Sequence, residues 1–321
     1  IGCIAYASDL NPIAGMLTQA SLELASSSIS ERSKISAFQD KIYSIVNKQI
    51  LDYGVESSEN GDRADAYLYC HQATCPECGC MIPLSPTWVI GQGSRTVATL
   101  EKLGNEYIIN VESNASDAMM QKAKVSGTIK SNAMVCPCCG KTTPISVLRH
   151  DRTDSNGNMI SGLRLWEKDE FSFRKDDVIT ERLYAIRYVR SDGKRFYRAP
   201  NAHDLQNERI VQQIVSENII EWQREGYIPS SKIEPGYNTD QVIRERGWTH
   251  WNHLFNARQL LLHALLQKNA FENVESSLQM MCSTLSVHRC CNWNSRLCSW
   301  GVGQARESMA QTFYNQAFNT M

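Results

Sequence analysis

Cys75-Pro76-Glu77-Cys78-Gly79 and Cys136-Pro137-Cys138-Cys139-Gly140 are two copies of one device, CPxCG. In each copy two cysteines three positions apart share a tight turn, proline stiffens it, and glycine gives the backbone freedom needed after the second thiol. Two such knuckles can bring four thiolates onto one ion. A tetrahedral all-thiolate zinc keeps no open position for water, so Cys75, Cys78, Cys136 and Cys139 are expected to hold a structural Zn²⁺. The plainer alternative is four reduced structural cysteines. Residues 79–135 separate the knuckles, 57 positions where about 15 to 20 are usual, so the insert must carry structure of its own. Cys70, His71, Cys80 and Cys138 are nearby spare ligand types, and Cys138, between Cys136 and Cys139, is the one most easily mistaken for a ligand.

Working outward, 321 residues suggest about two domains at roughly 150 residues each. Lys and Arg number 33 against 34 Asp and Glu, a net charge of −1, which excludes a chain-wide polycation that would recruit nucleic acid or an anionic membrane. The chain is 42% hydrophobic and 21% charged, as in soluble globular proteins, and no run of about 18 uncharged apolar residues predicts a membrane span. Twelve cysteines in a large chain with no export signal, several of them in CxxC pairs, favour metal ligation in a reducing compartment, hence a cytoplasmic protein. The chain opens at Ile1 in an apolar stretch with no initiator Met, basic n-region or cleavage site, and reaches Met321 inside a helical pattern. An internal piece of a longer protein is the expectation.

Along the chain, Ile4 to Ala7 read as a strand that stops before Asp9, and Asn11-Pro12 opens a helix carrying Ile13, Leu17, Ala20 and Leu24. Such a strand-turn-helix belongs to an α/β sheet. A further helix is predicted around Ile42, Ile45, Val46 and Ile50. Segment 1–62 is followed by the cysteine-bearing region 63–150, which includes a strand over Tyr107–Val111. A hairpin region, 151–204, turns at Asp192-Gly193, and a helical region spans 205–321. In the last of these, Val211, Val215, Ile219 and Trp222 share a face, as do Leu254, Leu261 and Leu265, and a final helix is predicted from about Gly303 to Met321 with Met309, Phe313 and Phe318.

Three other groups carry ligand or contact chemistry. Asp9 ends a strand, where an acid in a doubly wound sheet can accept from two ribose hydroxyls; a helix N-cap is its plainer role. Arg187, Arg190, Lys194 and Arg195, with Arg182 and Arg198, make the hairpin basic, and Tyr184, Tyr188, Phe196 and Tyr197 are interleaved. Such a ribbon can follow a phosphate backbone and stack on a base, or else pair its charges with Asp176, Asp177 and Glu181. Cys282, His288, Cys290, Cys291 and Cys298 are ligand types without a knuckle, read as ordinary thiols and imidazole unless the helices gather them into a second metal site. His250, His253 and His263 read as surface or core histidines, since no carboxylate is placed to orient them.

With these residues in view, the sequence resembles the zinc-ribbon-containing family of adenine-specific DNA methylases. The resemblance rests on Asp9-Leu10-Asn11-Pro12-Ile13-Ala14, the paired knuckles with Ile82-Pro83-Leu84, Glu181-Arg182-Leu183-Tyr184-Ala185-Ile186-Arg187, Arg246-Gly247-Trp248-Thr249-His250-Trp251, Leu254 to Leu261 and Asn294 to Trp300, collinear across the chain. It implies an α/β fold: residues 1–62 as a partial Rossmann-like edge of a class I methyltransferase, interrupted by a zinc-ribbon β region and followed by a mainly α-helical C-terminal region. It also implies S-adenosylmethionine as cofactor, with Asp9 on its ribose and Leu10 near its adenine, zinc in the ribbon, DNA as partner, and protein partners in a restriction-modification or phage-defence system. The family's glycine-rich loop should precede Ile1, and its Asp-Pro-Pro-Tyr motif occurs nowhere in the chain; the expectation is therefore a fragment inactive by itself. The competing expectation is a non-catalytic zinc-ribbon module that binds nucleic acid or a partner protein.

Overall fold

The computed structural model describes residues 8–303 and 307–312. It is a mixed α/β fold in which helices bury apolar stripes on one another and every strand pair among the described residues is antiparallel. Helix α1, Pro12–Ser26, starts at the expected place: Asn11 is the N-cap, its side chain accepting the Ile13 N–H, and Pro12 occupies the first turn. The strand expected at Ile4–Ala7 lies outside the described residues.

Helix α2, Ile29–Tyr53, begins with a reciprocal capping box between Ser28 and Glu31 and ends at Gly54, whose φ of 70° continues the chain where an L side chain would strain. Its buried residues, Ile35, Phe38, Ile42, Val46 and Ile50, recur every three or four positions. They join the stripe of α5, Ala202–Arg224 (Val211, Val215, Ile219, Trp222), and that of α7, Ala257–Asn273 (Leu260, Leu261, Ala264, Leu265), in the largest apolar core. Helix α7 packs on α2, α5 and α8, Ser277–Trp293, and α1 lies on α8.

The central sheet has four antiparallel strands. Strand β1, Arg63–Thr74, runs between β11, Ile179–Val189, and β2, Met81–Leu84, while β12, Arg195–Arg198, closes the basic hairpin through Asp192-Gly193, Gly193 having φ 80°. The sheet thus takes strands from both sides of residue 150. The insert between the knuckles is structured: β3, Val89–Gly91, β4, Thr96–Leu103, and β5, Glu106–Glu112, form a meander against which α3, Asp117–Val125, is packed. Three short strands, β6 (Ile129–Lys130), β7 (Ala133–Val135) and β8 (Thr142–Pro144), flank the second knuckle and lead into α4, Ile145–Leu148. A small ladder of β9, Arg152–Thr153, with β10, Met159–Ile160, follows, and α6, Asp240–Arg246, lies between α5 and α7.

Two elements differ from expectation: Leu254 ends a 3₁₀ turn, Trp251–Leu254, ahead of α7 rather than sharing its helical face with Leu261 and Leu265, and the C-terminal stretch is not helical where it is described. Trp300–Val302 and Glu307–Met309 are strands β13 and β14 of a paired ladder, so Met309 is not helical. Tertiary bonds outweigh helix propensity there. The Trp300 indole donates to the Ile90 carbonyl at 3.0 Å, the Glu307 carboxylate accepts from the Ser94 N–H at 2.8 Å and the Tyr197 hydroxyl at 2.7 Å, and Arg187 donates to the Glu307 carbonyl at 2.8 Å. Phe313 and Phe318 lie outside the described residues. No helix among the described residues is long and apolar enough to cross a membrane.

Candidate metal centre

The two knuckles fold alike. In the first, the Cys75 N–H donates to the Cys80 carbonyl (2.8 Å) and the Gly79 N–H to the Cys75 carbonyl (2.9 Å); in the second, Cys136 donates to Lys141 and Gly140 to Cys136, both at 2.9 Å. Gly79 and Gly140 share a left-handed φ, 71° and 73°. Strands β1 and β2 carry the first turn, β7 and β8 the second, and cysteines of both turns belong to one apolar cluster with Ala73, Ile82, Tyr107, Met134, Ile145, Leu148 and Ile179.

The sulfurs of Cys75, Cys78, Cys136 and Cys139 lie within 4.8 Å of one another. The Cys75–Cys139 separation is 3.9 Å and the Cys78–Cys136 separation 3.6 Å. A Zn–S bond of about 2.3 Å implies tetrahedral edges of about 3.8 Å, so the donor set and its spacing fit a zinc tetrathiolate. Cys75 and Cys136 are wholly buried and Cys139 reaches the surface. The Lys141 N–H aimed at Cys139 leads the causes that hold its thiol below the ordinary range, the form a metal needs.

Sequence reasoning also left Cys80 and Cys138 as spares, and the structure puts them side by side. Their sulfurs are 2.9 Å apart, and the Lys102 ammonium, brought in by the β4–β5 hairpin, stands 3.0 Å from the Cys138 sulfur. Nothing in the sequence flags Lys102, 36 residues from Cys138. The Cys80 thiol and then Lys102 lower the Cys138 thiol from its ordinary value. Cys78 with Cys80 and Cys138 forms a second sulfur group within 4.8 Å.

The other expected residues are dispersed. Asp9 is exposed and its carboxylate accepts the Asn11 N–H at 2.8 Å; Leu10 is fully exposed. Arg187 is inserted between Asp65 (2.6 Å) and the Trp300 ring (4.9 Å), and Arg195 also bonds Asp65 at 2.8 Å. Lys194 pairs with Asp192 at 3.3 Å and Arg190 lies over Phe196 at 4.7 Å. The hairpin cations therefore meet Asp65, Asp192 and, through Arg198, Asp204 rather than Asp176 and Asp177; of Glu181's possible partners it is Arg296 that binds it. Arg190, Lys194 and Arg195 remain at the surface, whereas Tyr188 and Tyr197 are core residues and Tyr184 packs edge-on to Trp88. Among the described residues, Cys282, His288, Cys290, Cys291 and Cys298 do not gather into a metal-sized cluster. His253 and His263 are buried, bonded through Nε2 to the carbonyls of Glu167 and Asn294.

A second constellation centres on Arg296, whose side chain is 4% exposed. Its guanidinium donates to Glu181 at 3.0 Å and to the Phe171 carbonyl at 2.6 Å, and lies against the rings of Trp166, Phe173 and Trp248. Its backbone N–H donates to the Leu254 carbonyl at 2.8 Å. The stretches around residues 181 and 248–254 thus meet at Arg296, Glu181 and Trp248 at its side chain and Leu254 at its backbone N–H. No known protein family, curated protein or solved structure matches this chain.

Proposed function

We propose that this chain is the zinc-stabilised, DNA-contacting part of an S-adenosylmethionine-dependent, adenine-directed DNA methyltransferase, in which the tetrathiolate is structural and the ribbon is an insert in a Rossmann-like catalytic fold. The observation that carries this reading is the meeting of separate blocks of the resemblance at Arg296: Glu181, Trp248, Leu254 and Asn294–Trp300 belong to four of its motifs and to one buried junction.

Zinc, when bound by Cys75, Cys78, Cys136 and Cys139, supplies a closed crosslink and no reactive position. Arg190, Lys194 and Arg195 present the surface cations that would meet phosphates. Asp9 and Leu10 offer one acceptor and one apolar side chain to a nucleoside, a set that holds a cofactor only when joined by further residues.

The test is duplex binding by the 321-residue chain, followed by fluorescence anisotropy from about 50 to 200 mM salt, beside an assay with radiolabelled S-adenosylmethionine. Binding that weakens linearly in log salt, with no methyl transfer because Asp-Pro-Pro-Tyr is missing, is expected. A chain that ignores duplex DNA at the lowest salt refutes the DNA-contacting role.

A further inference from the structure

We propose that Cys80 and Cys138 form a dithiol oxidation site, reactive toward hydroperoxides, set beside the metal centre but outside its ligand set. The internal symmetry of the knuckles separates the two roles. Superposing the turns by their hydrogen bonds makes Cys75 the counterpart of Cys136 and Cys78 that of Cys139. Cys80 then matches Lys141, and Cys138 matches Glu77. Neither belongs to the repeated ligand device, and the two meet only because the turns oppose each other.

Distance makes the same distinction. The ligand sulfurs are spaced at 3.6 and 3.9 Å, as tetrahedral edges, whereas the Cys80 and Cys138 sulfurs are at 2.9 Å. Two thiolates on one zinc cannot approach so closely with bonds of about 2.3 Å and tetrahedral angles. The short separation suits direct bonding between the sulfurs. Access is graded in the order the chemistry requires: Cys138 is half-buried and beside the Lys102 ammonium, while Cys80, 2% exposed, lies behind it. Cys138 is thus the attacking thiol and Cys80 the resolving one.

The reaction balances with a hydroperoxide as oxidant. A Cys138 sulfur lone pair attacks the terminal peroxide oxygen, the O–O bond breaks, and the thiol proton leaves with the alcohol, giving a sulfenic acid. The Cys80 sulfur then attacks the Cys138 sulfur; the S–S bond forms, the S–O bond breaks, and hydroxide departs as water with the Cys80 proton. Two thiols lose two electrons and the hydroperoxide is reduced to alcohol and water. Zinc, if bound by Cys75, Cys78, Cys136 and Cys139, would withdraw charge from those sulfurs and slow their oxidation relative to the free pair, the one point at which the site draws on the zinc reading.

The experiment treats the chain, as purified, with tert-butyl hydroperoxide, alkylates remaining thiols, maps peptides by mass spectrometry and measures zinc in the same sample. A peptide pair joining Cys80 to Cys138, at undiminished zinc content, is expected; Cys80→Ser should leave a Cys138 sulfenic acid that dimedone traps, and Cys138→Ser should leave Cys80 alkylatable. Both thiols remaining alkylatable, zinc released before any crosslink appears, or two zinc ions per chain with Cys80 and Cys138 protected would each overturn the proposal. A zinc-free preparation refutes the metal centre alone, and the dithiol is then judged on the same crosslinked peptide.

Discussion

Gly79 and Gly140 sit in open space, with no atom within 4 Å of an added Cβ, yet both hold φ above 70°. The cost of a side chain there is conformational and not steric, about 1 to 2 kcal/mol for an L residue in the left-handed region. Gly79→Ala and Gly140→Ala should each weaken zinc retention about tenfold in competition with a chelator. Unchanged affinity would show that the turn relaxes without glycine. The ligands themselves are less forgiving: one zinc per parent chain is expected, and none in Cys75→Ser combined with Cys136→Ser, by elemental analysis. Because the two wholly buried sulfurs anchor opposite knuckles, removing them should also lower the melting temperature.

At the scale of elements, local periodicity was readable wherever one stripe meets one core. Ile42, Val46 and Ile50 on α2 and Val211, Val215, Ile219 and Trp222 on α5 are buried as their spacing implies, and Asp192-Gly193 does turn the hairpin. The CPxCG pairs were legible too, because ligand type and turn chemistry are local. What spacing could not convey is the long-range partner. The stretch after Gly303 shows helical spacing, but Ile90, Ser94 and Tyr197, each more than 100 residues away, bond Trp300 and Glu307 and hold the ladder. Likewise the hairpin aromatics are spaced as a stacking surface, yet Tyr188 and Tyr197 face the core, and Asp65 neutralises Arg187. That leaves Arg190 and Lys194 at the tip as the cations freest to meet phosphate. Reversing both, Arg190→Glu with Lys194→Glu, should reduce the slope of log affinity for duplex DNA against log salt by about two, since each neutralised phosphate is worth about 0.9 of slope. An unaltered slope would remove the hairpin from the interface.

Across the whole molecule, histidines pushed down by burial couple folding to pH: His71 well below its ordinary value, His250 and His288 in the same direction, and His253 and His263 with bonds that show the cost of a proton. His253 accepts the Thr249 and His250 N–H groups at Nδ1 (3.1 and 3.2 Å) and bonds the Glu167 carbonyl through Nε2 at 2.9 Å, so its ring must be the neutral Nε2–H form. A proton on Nδ1 would break two backbone bonds. His263 reaches the Asn294 carbonyl through Nε2 at 3.0 Å, with Nδ1 buried and unpartnered. Burial pushes both imidazoles down to about 4 from an ordinary 6.5. Between these values the unfolded chain binds protons that the folded chain refuses, so stability is full above pH 6.5 and is lost as pH falls toward 4. Each histidine should cost about 2 kcal/mol by about pH 5, before most carboxylates titrate. The urea midpoint should therefore drop steeply between about pH 7 and pH 5, and His263→Gln, which cannot take up the proton, should remove about 2 kcal/mol of that loss, the other lowered histidines keeping the rest. A midpoint that stays level over this interval would mean that water or a carboxylate reaches these rings in solution. His253 joins Trp166 to the turn before α7, and His263 joins α7 to the segment that carries Arg296. Acid would therefore loosen the helical core and the Arg296 junction together.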